Sequence, residues 1–251
     1  MQAMHRSILL AVVATFAVAS VALAATGRKS PKTTLVQAVG NTDRVSTFKY
    51  AMDIAIDRRG LPAAHLRVHG IHTRSELFVH LQEVIANVRG PHQSALLDGS
   101  FLYEGVPNGV PIAGRIRWLR MPVPRVGSSS PEVDALHTFS PAPLLRVLDE
   151  FSQGRTRAPR GLYRGSVAFD DPIVRTALSS LAGGIEFRDV RFTSTVGGDG
   201  YVHTIRVTGR TADDSRTLSV TAHLYAFGRP FTLAPPGEGT FLDKKLLGLA
   251  E

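Results

Sequence analysis

Four histidines lie close together in the first third of the sequence and suggest a metal site. They are His65, His69, His72 and His80. A transition-metal site needs three or four ligands that converge on the ion. In an extended strand His65 and His69 share one face while His72 falls on the other, and Glu76 is the nearest acidic residue at useful spacing. This spacing favours surface or cavity-rim histidines, so we expect no metal site and no other cofactor.

Residues suited to covalent or acid–base catalysis occur without a recognisable motif. The serines at 128–130 lie in a polar stretch, and the sequence has no G-x-S-x-G elbow. The carboxylates that a fold could bring together are Glu83, Asp98, Glu104, Asp149 and Glu150. Their spacing pairs no two of them. The chain has no cysteine, which excludes thiol catalysis and thiolate zinc sites. We therefore predict a protein without catalytic residues, not an enzyme.

The first 25 residues differ from the rest of the chain. Residues 8–24 are almost unbroken apolar sequence, and Ala22–Ala24 has the small-x-small form of a signal-peptidase site. The segment is either a cleaved signal peptide or an uncleaved anchor, because the apolar run is almost long enough to span a bilayer. Both alternatives predict an exported protein of the cell envelope, the periplasmic space or the medium. Residues 26–32 form a polar tether.

The chain has 251 residues and a formal net charge of +8, and most of its basic residues are arginine. Such a charge is compatible with a nucleic-acid partner, with a solvated basic surface or with attraction to anionic lipid headgroups. Export argues against nucleic acid, and we expect no nucleic-acid partner. The other two interpretations stay open, so an anionic membrane surface remains an alternative partner.

Alternation of apolar and polar residues predicts most of the fold. The alternation is clearest on the first strand, whose inward candidates are Phe48, Tyr50, Met52, Ile54 and Ile56. The predicted strands are 48–57, 64–74, 94–106, 114–124, 161–170, 186–196, 201–211, 216–228 and an edge strand at 230–236. The segment 76–86 is compatible with either a strand or a helix. A four-residue loop joins the strands at 186–196 and 201–211.

Helical spacing predicts two helices, at 140–154 and 170–184, and a third, short helix that begins near residue 33 and ends near Gly40. The polar stretch 125–135 is interpreted as a loop within one sheet. Because strands occur in adjacent runs, the fold class is α+β with a large antiparallel sheet. A sheet of this size curves, and two or three helices would cover its concave face.

Three stretches resemble the envelope lipid- and lipoprotein-carrier superfamily, which includes LolA-like carriers and LppX/LprG-type lipid-binding lipoproteins. They are "RVSTFKYAMDIAI", "SPAPLLRVLDEFSQG" followed by "YRGSVAF", and "LSVTAHLYAFGRPFTLAPP" followed by "GTFLD". The last looks like the family's closing strand, its turn at Gly228 and its terminal prolines. The resemblance implies a half β-barrel closed by helices, with an apolar cavity for acyl chains. This chain lacks the lipidated cysteine and would be a non-lipidated member.

The resemblance implies an exported lipid-binding or lipoprotein-carrier protein whose partner is a lipid or acylated ligand. We expect a single domain at 33–243 and a tail at 244–251. Besides the first-strand residues, the cavity candidates are Phe101, Tyr103, Ile116 and Trp118. Arg115 and Arg117 are either solvated on an outer face or placed to meet lipid phosphates. The alternative function is a non-catalytic envelope sensor or assembly module with a filled cavity and a protein partner.

Overall fold

The computed structural model describes residues 34–61, 63–123, 131–152, 161–168, 172–181 and 185–247. Its strands are β1 (Thr47–Arg58), β2 (Ala64–Thr73), β3 (Leu77–Ile85), β4 (Val88–Leu97), β5 (Phe101–Gly105), β6 (Trp118–Pro122), β7 (Leu162–Ala168), β8 (Asp189–Val196), β9 (Val202–Arg210), β10 (Arg216–Tyr225) and β11 (Phe241–Asp243). Its α-helices are α1 (Leu35–Arg44), α2 (Pro131–Thr138), α3 (Ala142–Ser152) and α4 (Pro172–Leu181). The predicted leader at 1–25 and tether at 26–32 lie outside the described residues.

One sheet contains all eleven described strands, in the order β11-β6-β5-β4-β3-β2-β1-β10-β9-β8-β7. Strands β1 to β6 form one meander and β7 to β10 form a second, and β1 pairs with β10 where the two meet. Every pairing is antiparallel except the parallel pairing of β6 with β11. The prediction of an α+β half-barrel is confirmed, with eleven described strands instead of about nine and four described helices instead of two or three.

The described α-helices pack on one another, and α1 packs on the second meander. Helix α1 contacts β9 and α3, while α3 contacts α2 and α4. In sequence, α2 and α3 lie between β6 and β7, and α4 lies between β7 and β8. Helix residues such as Leu35, Leu144 and Leu178 form a buried core with one face of the sheet. None of the described helices has the length and apolar character needed to cross a bilayer.

One helix prediction and one loop prediction need correction. Helix α1 continues through Gly40 to Arg44, because the buried Thr42 continues the face that packs against the sheet. The stretch 125–135 is not all loop, since α2 begins at Pro131, while 125–130 lies outside the described residues. The predicted helix after Ser140 is present as α3, and the Ser140 hydroxyl accepts a 3.3 Å hydrogen bond from the Ala142 N–H.

Three strand predictions also change. Segment 76–86 is the strand β3, and segment 94–106 contains the end of β4, a turn and β5. The chain reverses there because the Asp98 carboxylate accepts hydrogen bonds from the N–H groups of Ser100 and Phe101, at 3.1 and 2.8 Å. The β8–β9 hairpin loop has one residue more than predicted, because Val196 pairs with Val202.

The segment from β10 to β11 differs most from its prediction. Strand β10 lies inside the sheet, between β1 and β9, instead of closing it. The turn at Gly228 is confirmed, with φ 67° and a 2.8 Å hydrogen bond from its N–H to the Thr47 carbonyl. The predicted edge strand at 230–236 is wrong, since no strand forms there. Its prolines have no N–H to donate, and this extended segment instead leads from β10 to β11 at the far edge.

Thr42 attaches helix α1 to the sheet. Its hydroxyl accepts a buried 2.9 Å hydrogen bond from the Val202 N–H and donates to the Ala38 carbonyl at 2.7 Å. We expect Thr42→Val to lower the free energy of unfolding by about 1–3 kcal/mol, because it leaves the buried Val202 N–H without an acceptor. Urea denaturation measures this loss. Thr138→Val is the control, since Thr138 bonds its own helix at the surface; an equal loss in both variants would contradict the assignment.

Candidate functional site

The register of the strands defines two faces of the sheet, because directly paired residues point the same way. One face carries Leu224, Tyr50, Gly70 and Val79 on four neighbouring strands. The helices pack on this side, and we call it the helix face. The first-strand cavity candidates Phe48, Tyr50, Met52 and Ile54 all point to the helix face and are buried in the core.

Burial on the helix face ends along a diagonal line. In the row that contains Met52 and Val68 both side chains are buried, but their neighbour Leu81 on β3 is half-buried. One row away, Val79 on β3 is buried and Ala95 on β4 is half-buried. The apolar face therefore continues beyond the buried core toward β3 and β4.

The half-buried positions Ile56, Leu66, Leu81 and Ala95 form what we call the boundary stripe, which runs diagonally across β1 to β4. Each step crosses to the next strand and moves one row along it. From normal strand spacing and rise, the stripe is about 25 Å long. Ile56 is the one predicted cavity residue that belongs to it.

A polar rim lies next to the boundary stripe on the same face. Leu66 pairs with Glu83, Leu81 pairs with Gln93, and Ala95 pairs with Glu104. Glu83 and Gln93 are exposed, and the Glu104 carboxylate lies 3.6 Å from the Lys244 ammonium. The helix face thus passes from buried core to half-buried apolar stripe to polar rim within three strands.

Sequence reasoning did not single out Leu66, Leu81 or Ala95. A usable signal was present in β3 and β4, where an apolar residue and a polar residue occupy the same face two positions apart. These pairs are Leu81 with Glu83 and Ala95 with Gln93. Such a change along one face marks the position where burial ends.

Tyr50 occupies a recess made by Gly70, its direct partner on β2. The phenol ring lies over the glycine so closely that a Cβ added at Gly70 would overlap it. The Tyr50 hydroxyl is buried and has no hydrogen-bond partner among the described residues. Burial raises the pKa of Tyr50, so the phenol stays neutral and keeps its proton.

Phe101, Tyr103 and Trp118 lie on the opposite face of the sheet. Ala95 pairs with Glu104, which places Glu104 on the helix face and turns the adjacent Tyr103 away from it. The sequence pattern predicted that these three aromatic residues line a common cavity with the β1 residues. They do not, because they lie on the other face of the sheet. The alternation within each strand is as predicted. The register of the β4–β5 hairpin, however, turns the aromatic residues of β5 away from the helix face.

The aromatic residues on the opposite face surround Arg120. Its guanidinium carbon lies 4.7 Å from the ring centre of Phe101 and 4.3 Å from that of Phe241. Its Nε and Nη2 donate to the two carboxylate oxygens of Asp243, at 2.6 and 3.0 Å. These hydrogen bonds lower the pKa of Asp243 and raise the pKa of Arg120. The cluster holds β11 against β6.

The predicted headgroup residues Arg115 and Arg117 lie in the segment before β6, and both are exposed. Ile116 between them is half-buried, and its N–H donates to the Ala113 carbonyl at 2.9 Å. A role for these arginines toward lipid phosphates stays a prediction.

The histidines divide between the two faces as the alternation predicts. His72 lies on the helix face and stacks on Phe48, with 4.8 Å between ring centres. Burial lowers the pKa of His72, and His137 lowers it further, while Asp43 acts in the opposite direction. His69 and His80 pair on the opposite face, and the ring of His92, which the sequence analysis did not consider, lies 5.4 Å from that of His80. Burial, followed by His92 and His69, lowers the pKa of His80.

The carboxylates considered for catalysis are spread over four parts of the fold. Glu83 is on β3, Asp98 caps the β4–β5 turn, Glu104 is on β5, and Asp149 and Glu150 are on α3. His65 is engaged by Asp53, with 3.0 Å between Nδ1 and Oδ1. No group of three or more His, Asp or Glu side chains within the described residues is placed to hold a metal ion.

No protein-family model and no curated protein matches the chain. Among solved structures the chain is similar to a LolA superfamily protein from Nitrosomonas europaea, with 11% identity, a TM-score of 0.29, and coverage of 79% of this chain and 93% of that one. It is also similar to a DUF1329 family protein from Desulfovibrio piger, with 10% identity, a TM-score of 0.23, and coverage of 80% and 92%.

The recess at Gly70 gives a prediction about packing. Gly70→Ala adds a methyl group where the Tyr50 ring lies. We expect the free energy of unfolding to fall by about 1–3 kcal/mol, the usual cost of overpacking a core. Chemical denaturation measures the loss, and Gly198→Ala is the control, because no atom lies within 4 Å of an added Cβ there. Unchanged stability of Gly70→Ala would show that the ring is not confined.

The ion pair between Arg120 and Asp243 makes the β6–β11 edge sensitive to acid. The folded pKa of Asp243 is lower than the ordinary value of about 3.9, so the pair stabilises the edge fully above about pH 4. This contribution is lost as the pH falls through the lowered value. Trp118, which pairs with Phe241 and is the single tryptophan of the chain, reports the loss as a red shift of its emission.

We expect Asp243→Asn to show the red-shifted emission of Trp118 already at neutral pH. Asp199→Asn is the control, because it breaks a different exposed pair, with His203. If Asp243→Asn has the wild-type spectrum across the whole pH range, the ion pair does not hold β11 in place.

Proposed function

We propose that this chain is a lipid-binding protein that holds an acyl chain along the boundary stripe of the helix face. The observation that carries the proposal is the stripe itself: four half-buried apolar side chains on adjacent strands, continuous with the core and bordered by polar residues. An extended acyl chain has this shape and needs this combination of apolar contact and polar border.

The dimensions and energetics of the stripe fit such a ligand. Its length of about 25 Å accommodates an extended fatty-acyl chain of ordinary length. Burial of apolar surface contributes about 0.8 kcal/mol for each methylene removed from water, against which desolvation and ordering of the ligand act. Glu83, Gln93 and Glu104 keep the outer side of the boundary stripe hydrated. The site needs no covalent chemistry, and we assign no enzymatic activity to it.

The cavity of this proposal differs from the one expected from sequence. Phe48, Tyr50, Met52 and Ile54 pack against the helices in the closed core, each at most 4% exposed. The acyl chain would lie beside these residues, on the part of the face that the first meander contributes. We also propose export directed by residues 1–25, which would bring the protein to the envelope lipids that serve as its ligands.

Binding of palmitate to purified protein tests the proposal. The double variant Leu66→Gln and Leu81→Gln places two amides in the stripe, and we expect it to bind palmitate about tenfold more weakly, because apolar contact is replaced by polar groups. Isothermal titration measures the affinity. Ile71→Gln is the matched control, since Ile71 is half-buried on the same sheet but points to the opposite face. Equal losses in the two proteins would place the ligand elsewhere.

The burial of Phe48, Tyr50, Met52 and Ile54 favours a second function: a non-catalytic envelope sensor or assembly module whose core is already filled. Native mass spectrometry of protein purified from its own envelope separates the two. Retained lipid mass supports the lipid-binding protein. A protein free of lipid that also fails to bind palmitate would favour the filled module and its protein partner.

A further inference from the structure

Two buried hydroxyl groups have no hydrogen-bond partner among the described residues, those of Tyr50 and Ser194. Their surroundings differ. Ser194 pairs with Tyr163 and Ile205, which are both buried, so it lies within the closed part of the core. Tyr50 belongs to the row that leads through Gly70 and Val79 to Ala95 on the boundary stripe. Of the two hydroxyls, that of Tyr50 therefore lies nearer to the proposed ligand.

The recess at Gly70 determines where the Tyr50 hydroxyl lies. The ring crosses from β1 over Gly70, so that the hydroxyl lies over β2. Val68, Val79 and Leu81 in the neighbouring rows and strands are apolar, and His72, which follows Gly70 on the same face of β2, stacks on Phe48 and makes no hydrogen bond to the hydroxyl. A neutral phenol can donate its O–H, but no described residue accepts a hydrogen bond from Tyr50. A buried polar group in this state lowers stability unless something else supplies its hydrogen bond.

We infer that the Tyr50 hydroxyl is the polar anchor of the acyl ligand and donates a hydrogen bond to the oxygen at its head. This inference rests on the proposed lipid-binding function. The chemical class of the ligand is then an acyl group with an acceptor oxygen, either a fatty-acid carboxylate or a fatty-acyl ester carbonyl. The hydrocarbon chain lies along the boundary stripe, and the acceptor oxygen reaches past Leu81 toward Gly70.

If Tyr50 is the anchor, Tyr50→Phe should keep or raise the melting temperature while it lowers the affinity for the ligand. Tyr50→Phe removes the unpaired hydroxyl and retains the ring, so the ligand-free protein should melt at the same or a higher temperature than the wild type. The same variant should bind acceptor-bearing ligands more weakly. A residue that only packs the core would not separate stability from affinity in this way.

Three probes of equal chain length test the anchor in competition with a bound fluorescent dye: palmitate, methyl palmitate and hexadecane. We expect Tyr50→Phe to weaken binding of the acceptor-bearing probes by about five- to tenfold, the value of one hydrogen bond, and to leave hexadecane binding unchanged. A loss for palmitate and methyl palmitate alike assigns the bond to the carbonyl that acids and esters share. A loss for palmitate alone assigns it to a free carboxylate.

Tyr225→Phe is the matched control, because Tyr225 is exposed and pairs with Lys49 on the opposite face. The anchor is overturned if Tyr50→Phe binds all three probes as the wild type does, or if it loses hexadecane equally. In both cases the effect of the stripe variants on palmitate still stands, and the proposed function survives. If the wild type binds none of the probes, the proposed function fails, and the anchor fails with it.

Discussion

The pairing of β1 with β10 is the constraint on which the rest of the structure depends. It runs from Lys49 opposite Tyr225 to Arg58 opposite Arg216 and joins the two meanders into one sheet. Each meander otherwise contains only pairings between strands that follow one another in sequence. The central pair fixes the register of both meanders relative to each other, so it also decides which side chains of the first meander share a face with the helices.

The boundary stripe follows from where the helices occur in the sequence. All described α-helices between strands lie in or just before the second meander, and α1 bonds Val202 at the start of β9 through Thr42 and Gly200 in the preceding loop through Asn41. The first meander has no α-helix between its strands, and on its share of the helix face burial ends along the boundary stripe, although Leu97 on β4 and Leu102 on β5 stay in the core. Because the helices are unevenly distributed along the chain, the apolar helix face extends past the buried core as the boundary stripe. Tyr50 lies in the core, in the row that leads to Ala95 of that stripe.

Which residues share a face within one strand could be predicted from the alternation of apolar and polar residues. The alternation in β1 correctly grouped Phe48, Tyr50, Met52 and Ile54, and it placed His72 apart from His65 and His69. Positions that depend on distant pairing could not be predicted. The face of Tyr103 depends on the register of a hairpin, the central place of β10 depends on a partner about 170 residues away, and β11 has only three residues. The unpaired hydroxyl of Tyr50 is likewise a property of packing, since alternation marks a tyrosine only as buried.

The short strand β11 has a consequence for solubility. An edge strand presents a row of unpaired N–H and C=O groups, which can serve as a template for a strand of another molecule. At this edge of the sheet, β11 occupies those positions on β6, and the chain reaches it only by way of a proline-containing segment that cannot itself pair along its length. Three residues, held by one arginine and one aspartate, therefore leave this side of the eleven-stranded sheet with an edge strand too short to serve as a good template for another molecule.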